Sequence, residues 1–188
     1  MEKVSYRISR FARCKGLEQI NNCVDAYKTL LRDKNIAVYE RQGVLTKEEL
    51  TSRYEIYLEN YSKTINIEAT TMLMMSKTQL LPNFSKYLTS LAQCASAVSA
   101  TGIEPKSQLK MVGGYQKEFD AFVGAVDKLD KLLKKVQTVS DELEKAEAYR
   151  DKVVPAMEKV RSHADELERV TDKECYGIPT YSDIMFYN

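Results

Sequence analysis

With 188 residues, 44% of them hydrophobic and 29% charged, and with 28 Lys and Arg set against 27 Asp and Glu, the chain carries a formal net charge of +1. That length suits one domain able to bury a core without disulfide or metal staples, and excludes a small cross-linked scaffold. No apolar run approaches the roughly 18 residues of a membrane span, and Glu2, Lys3, Arg7 and Arg10 stand where a signal peptide needs an apolar stretch, so the chain reads as soluble and cytoplasmic with no membrane partner. Near-neutral charge offers no global field for nucleic acid either. A local basic excess in residues 1–16 is small and reads equally well as a solvated helix face.

Taken in chain order, the apolar residues recur at helical spacing and the elements are all helices. Val4, Ile8, Phe11 and Ala12 form a short amphipathic stretch over 3–15 that stops at Gly16. A second helix runs from about Asn22 to Asp33 with Val24, Tyr27, Leu30 and Leu31 on one face, and Asn35 to Gln42 adds two turns before Gly43. Thr46 followed by Glu49 is a capping box, in which the hydroxyl and the carboxylate satisfy reciprocal backbone donors at a helix start. Behind it Tyr54, Leu58, Tyr61, Ile65, Glu68, Met72 and Met75 make a heptad seam facing a partner helix. Pro82 breaks that seam and predicts a kink, after which Phe84, Leu88, Leu91, Ala95 and Val98 open a new phase.

Thr101 to Lys106, with Gly102 and Pro105, is the clearest turn signal, and Ser107 is placed to cap the helix that returns. The return carries a seam of its own at Val112, Tyr115, Phe119, Phe122, Val126, Leu129, Leu133 and Val136. A further seam at Leu143, Ala146, Arg150, Val153, Met157, Val160, Ala164 and Leu167 is out of phase with it, the slip falling at Thr138 to Asp141, where Ser140 or Asp141 can cap a new helix. Pro155 predicts a bend in that last helix. The expected fold is all-α and a single unit: short helices over 1–45, a long-helix antiparallel hairpin or up-down bundle over 46–171, and an irregular aromatic tail over 172–188 that docks on its own bundle or on a neighbour.

Chemistry-bearing constellations are few. Cys14, Cys23, Cys94 and Cys175 form no C-x-x-C pair and read as reduced thiols, while His163, the one histidine, sits in a polar stretch and reads as a surface residue. One histidine cannot furnish two Glu-x-x-His motifs, so a di-iron bundle is excluded, and Gly113-Gly114 lacks the frame of a phosphate loop. No catalytic, cofactor-binding or metal-ligating residue is therefore assigned. The informative polar positions are Glu68 and Arg150, which interrupt apolar seams and suggest a register-setting ion pair within the bundle. The Tyr54, Tyr57, Tyr61 stripe and the Met72, Met74, Met75 cluster offer a binding groove or a cofactor wall as a second reading and core or interface packing as the better one, and Tyr181 and Phe186 mark the tail as a candidate contact surface.

Three blocks of residues carry a family resemblance. Val38-Tyr39-Glu40-Arg41-Gln42-Gly43-Val44-Leu45-Thr46 leads into Arg53-Tyr54-Glu55-Ile56-Tyr57-Leu58-Glu59-Asn60-Tyr61 and Lys63-Thr64-Ile65-Asn66-Ile67-Glu68-Ala69, and this run resembles the C-terminal region of type III glutamine synthetases. Tyr149-Arg150-Asp151, Val154-Pro155-Ala156-Met157 and Ala164-Asp165-Glu166-Leu167-Glu168 resemble the last helix of that family, and Pro179-Thr180-Tyr181 with Asp183 and Phe186 its closing segment. The likeness is dense over 36–87 and 149–187 and weak over 88–148. It implies a parent glutamate–ammonia ligase that uses ATP and Mg or Mn in a separate β-rich catalytic domain, no part of which this chain resembles. It further implies a non-catalytic region that takes no cofactor itself, whose partners are the catalytic domain and neighbouring subunits of a homo-oligomer. The competing reading is a free-standing helical protein-interaction module.

Overall fold

A computed structural model describes residues 20–186, and every ordered element in that range is helical. In chain order these are α1 (Cys23–Lys28) with a 3-10 turn (Thr29–Leu31), α2 (Asp33–Arg41), α3 (Lys47–Met75), a π-helical turn (Ser76–Leu80) and α4 (Leu81–Ala100). Then follow α5 (Lys106–Gln137), α6 (Glu142–Ala148), a second π turn (Tyr149–Val153), α7 (Val154–Glu168), α8 (Lys173–Tyr176) and α9 (Tyr181–Met185). The stretch 3–15, Cys14 and the basic cluster of 1–16 lie outside the described residues. No helix among those described is long and apolar enough to cross a membrane.

The described residues form two compact units, one of 20–63 with 141–147 and one of 64–140 with 148–186. In the first, Asn22 caps α1 by accepting from the Asp25 N–H, and the Thr46/Glu49 capping box closes the start of α3 from both sides at 3.2 and 2.7 Å. Val24, Leu58 and Ala146 are buried together, with Tyr27, Tyr54, Tyr61 and Leu143 packed around them. Lys28 reaches Glu147 at the edge of this cluster. Gly43 and Gly102 take left-handed φ values of 64° and 84°, which stops a helix at the positions the sequence marks.

In the second unit α5 is the central helix, with α4 packed on it and α7 packed on it as well. Tyr115, Phe122, Val126, Leu129, Leu133 and Val136 are buried along α5 at the predicted seam positions, and Val153, Val160, Ala164 and Leu167 face in from the last seam. Phe84 meets Phe122 edge-on at 5.5 Å between ring centroids, a geometry that the ring quadrupoles favour. The slip between the two seams is a true break, and Asp141 caps the new helix by accepting from the Glu144 N–H at 2.7 Å. Ser107 does not cap α5. The helix already begins at Lys106, after Pro105, which puts Ser107 inside its first turn.

Both internal prolines follow a π turn. The Leu81 N–H bonds back five residues to the Ser76 carbonyl, and the Val154 N–H back five to that of Tyr149. A proline ring collides with the carbonyl four residues before it, here Thr78 and Asp151, and the wider turn accommodates the collision without ending the helix. Thr78 and Ser85 add side-chain bonds to carbonyls one turn back, at 2.7 and 2.8 Å.

The expected α3 seam fails ahead of the first π turn, from Glu68 onward. In the second unit the buried stripe is Ala69, Leu73, Ser76 and Leu80, running into Phe84, while Glu68 is exposed and Met72 and Met75 are half-buried beside the stripe.

Candidate interaction site

The second unit carries an open apolar groove of about 620 Å³. One wall is the C-terminal half of α3, with Ile67, Glu68, Met72 and Met75; the other is α7, with Met157, Val160 and Ala164; the tail, through Tyr176, Ile178, Pro179 and Ile184, lines it too. Tyr176 anchors this tail. Its ring is 4% exposed and lies 6.0 Å from that of Phe84, its hydroxyl donates to Glu168 at 3.0 Å, and its carbonyl accepts from the Asn83 amide at 3.2 Å. The next residue, Gly177, has φ 77°, and a Cβ there would fall 1.9 Å from Asn83 Nδ2. Thr180 then caps α9 with a capping box completed by Asp183. The Lys173 ammonium, with the Thr180 hydroxyl and N–H, pulls Asp183 down to about 2. Beyond the cap, Ile184, Met185 and Phe186 are at least two-thirds exposed.

The site residues expected from sequence separate. Tyr54 and Tyr61 pack on the core of the first unit, where burial pushes the Tyr54 hydroxyl up, while Tyr57 turns away and stacks on Tyr27 at 5.2 Å. Glu68 lies on the groove rim. Arg150 lies in the second π turn with its Nε and guanidinium NH2 on Asp151, at 2.7 and 2.9 Å. Tyr181 is the first residue of α9, and Phe186 is 76% exposed.

Sequence reasoning ranks a groove at the methionine cluster below core or interface packing. Its α7 residues belong to the predicted last seam, while the methionine cluster, for which a groove is the second reading after packing, contributes Met72 and Met75 to its lining. His163 is not merely solvated: it is about one-third exposed, and its Nδ1 lies 2.6 Å from Glu118, linking α7 to α5. On the same side of α5, burial pushes the Tyr115 hydroxyl up to about 12, against the effect of its 2.9 Å bond with Thr171.

Among the described residues no three His, Cys, Asp or Glu side chains gather in a way that could hold a metal ion. Cys23, Cys94 and Cys175 are free thiols. What the second unit presents is an apolar groove and an apolar tail tip.

Residues 7–99, just under half of the chain, match the family model of the glutamine synthetase C-terminal domain, and the chain resembles the C-terminal region of glutamine synthetases. Over 176 residues it is 32% identical to a glutamine synthetase of Butyrivibrio fibrisolvens, covering 92% of this chain and 25% of that protein. Over 181 residues it is 26% identical to the type-3 glutamine synthetase of Dictyostelium discoideum, covering 93% of this chain and again 25% of the relative. The chain thus spans about a quarter of the length of the curated relatives it matches. The family match extends beyond the 36–87 block on both sides and leaves out 149–187, so the pairwise relatives carry the likeness into the last helix.

Proposed function

We propose that this chain serves as the helical C-terminal region of a type III glutamine synthetase and packs against the catalytic core of its own or a neighbouring subunit to support assembly of a homo-oligomer. The observation that carries this reading is the match of more than nine-tenths of the chain to a quarter of the length of such enzymes. The exposed apolar tip Ile184, Met185 and Phe186 supports it, because apolar side chains grouped at a surface mark contact sites. Ligation of ammonia to glutamate, with ATP and Mg or Mn, is then work of the core, and this region acts by positioning.

The test replaces the corresponding quarter of the Butyrivibrio fibrisolvens enzyme with this chain and compares the chimaera, the parent and a deletion by sedimentation velocity and γ-glutamyl transfer. The chimaera is expected to assemble and turn over as the parent does, and the deletion to lose its large oligomers. A deletion that sediments as the parent does would overturn the assembly role. Measurable γ-glutamyl transfer or ATP binding by the isolated chain would overturn the non-catalytic one.

A further inference from the structure

The groove of the second unit has the shape of an unfilled corner in a helical bundle. Around the central helix α5 stand α4 on one side and α7 on another, and between the C-terminal half of α3 and α7 the surface stays open. Its floor is small or flat: Ser76 is 1% exposed, Ala164 9% and Val160 2%. Its walls hold three methionines, Met72, Met75 and Met157, whose unbranched, polarizable side chains repack around an apolar guest. A helix with its side chains is about 10 Å across, and a trough of small residues between two helix walls is where a further helix seats by ridge-and-groove packing.

The rim charge states what kind of helix. Glu68, Asp165 and Glu168 carry three negative charges around the opening against the single positive charge of Arg161, a net of −2. Arg161 already lies 3.8 Å from Asp165 on its own helix. Among the described residues Glu68 makes no ion pair, and it stands exposed at the edge of the α3 wall.

From this we infer that the groove binds an amphipathic helix from a protein partner, with an apolar stripe seated on Met72, Met75, Met157 and Val160 and with Lys or Arg flanking that stripe to meet the acidic rim. This is helix-in-groove recognition, in which apolar burial supplies the affinity and the flanking charges select the partner and its direction. The inference concerns the groove alone and holds whether or not the chain supports assembly of a synthetase.

The test uses the full chain, labelled at the methionine methyls, and two synthetic 18-residue helices with the same leucine stripe, one flanked by lysine and one by glutamate. The lysine helix is expected to bind saturably, about tenfold more tightly than the glutamate helix at low salt, and to shift the Met72, Met75 and Met157 methyls while Met111, remote on α5, stays put. Glu68→Lys changes only an exposed side chain, so the fold is retained, and it is expected to cut the preference for lysine several-fold. Failure of the lysine helix to bind, equal binding of both helices, or shifts centred away from the three methionines would overturn the inference. So would methyl shifts that track chain concentration with dimer formation in sedimentation, which would assign the groove to a second copy.

Discussion

Replacing Gly177 with alanine should release the tail from the second unit. Two costs add. Alanine at φ 77° is strained by about 1–2 kcal/mol, and its Cβ, 1.9 Å from Asn83 Nδ2, forces that amide aside and breaks its bond to the Tyr176 carbonyl, a further loss of about 0.5–1.5 kcal/mol. A sum of about 1.5–3.5 kcal/mol multiplies the equilibrium for tail opening by about 10- to 400-fold. Hydrogen exchange read by mass spectrometry over residues 173–186 measures that opening directly, while exchange in α5 should stay as it was. Asn83→Ala alone removes the hydrogen bond without strain. The double variant should therefore open little more than Gly177→Ala by itself, because both single changes destroy the same bond. Unchanged exchange in the tail of Gly177→Ala, or two effects that add in full, would refute the account of how Tyr176 is held.

Asp183 is held down at about 2 by Lys173 and by Thr180, so the stabilisation it gives the tail is present above its unfolded value near 3.8 and is lost as pH falls toward 2; a carboxyl-carbon titration with a midpoint near 4 would show the arrangement absent. Tyr115 runs the other way: its raised value near 12 means that stability is complete below about 10 and declines as pH rises toward 12, visible as the last tyrosine to ionise by ultraviolet absorbance and abolished in Tyr115→Phe. Phe122→Ala empties a fully buried site against Phe84 and should cost about 3–5 kcal/mol in urea denaturation, with a loss below about 1 kcal/mol contradicting its place in the core. Thr46→Ala removes the acceptor for the Glu49 N–H and should lower the stability of the first unit by about 1 kcal/mol, seen as faster exchange in the first turn of α3.

How far the fold can be read from residues alone differs between α3 and α5. On α5 the buried positions are large and apolar, so their 3-4 spacing announces the face that packs, and the burial of Phe122, Val126, Leu129 and Leu133 follows it position by position. On α3 the same rule selects Ile65, Met72 and Met75 because they are the large apolar residues, yet the face that closes is built from Ala69, Leu73 and Ser76. Alanine and serine carry little pattern. Neither residue type announces by its spacing that its face is buried. The groove ranks second to packing for the same reason: a methionine at a wall and a methionine at a seam have the same periodicity. The anchoring of the tail was half visible. Its apolar character called for a surface, while the dependence of Gly177 on Asn83, ninety-four positions earlier, is a contact that no local spacing reports.

The paired π turns bear on how this chain tolerates changes in length. Losing one residue from the interior of a helix ordinarily rotates everything after it by about 100°, carrying buried side chains out to water. A π turn already holds one residue more than the α-helix around it needs, so removing a residue from Ser76–Leu80 or Tyr149–Val153 would restore plain helix and leave the downstream faces in phase. The proline behind each turn is what stands in the way, since its ring would then strike the tightened turn. Shortening at either place therefore goes with replacement of Pro82 or Pro155, and relatives that carry another residue at either proline are where a one-residue gap is expected.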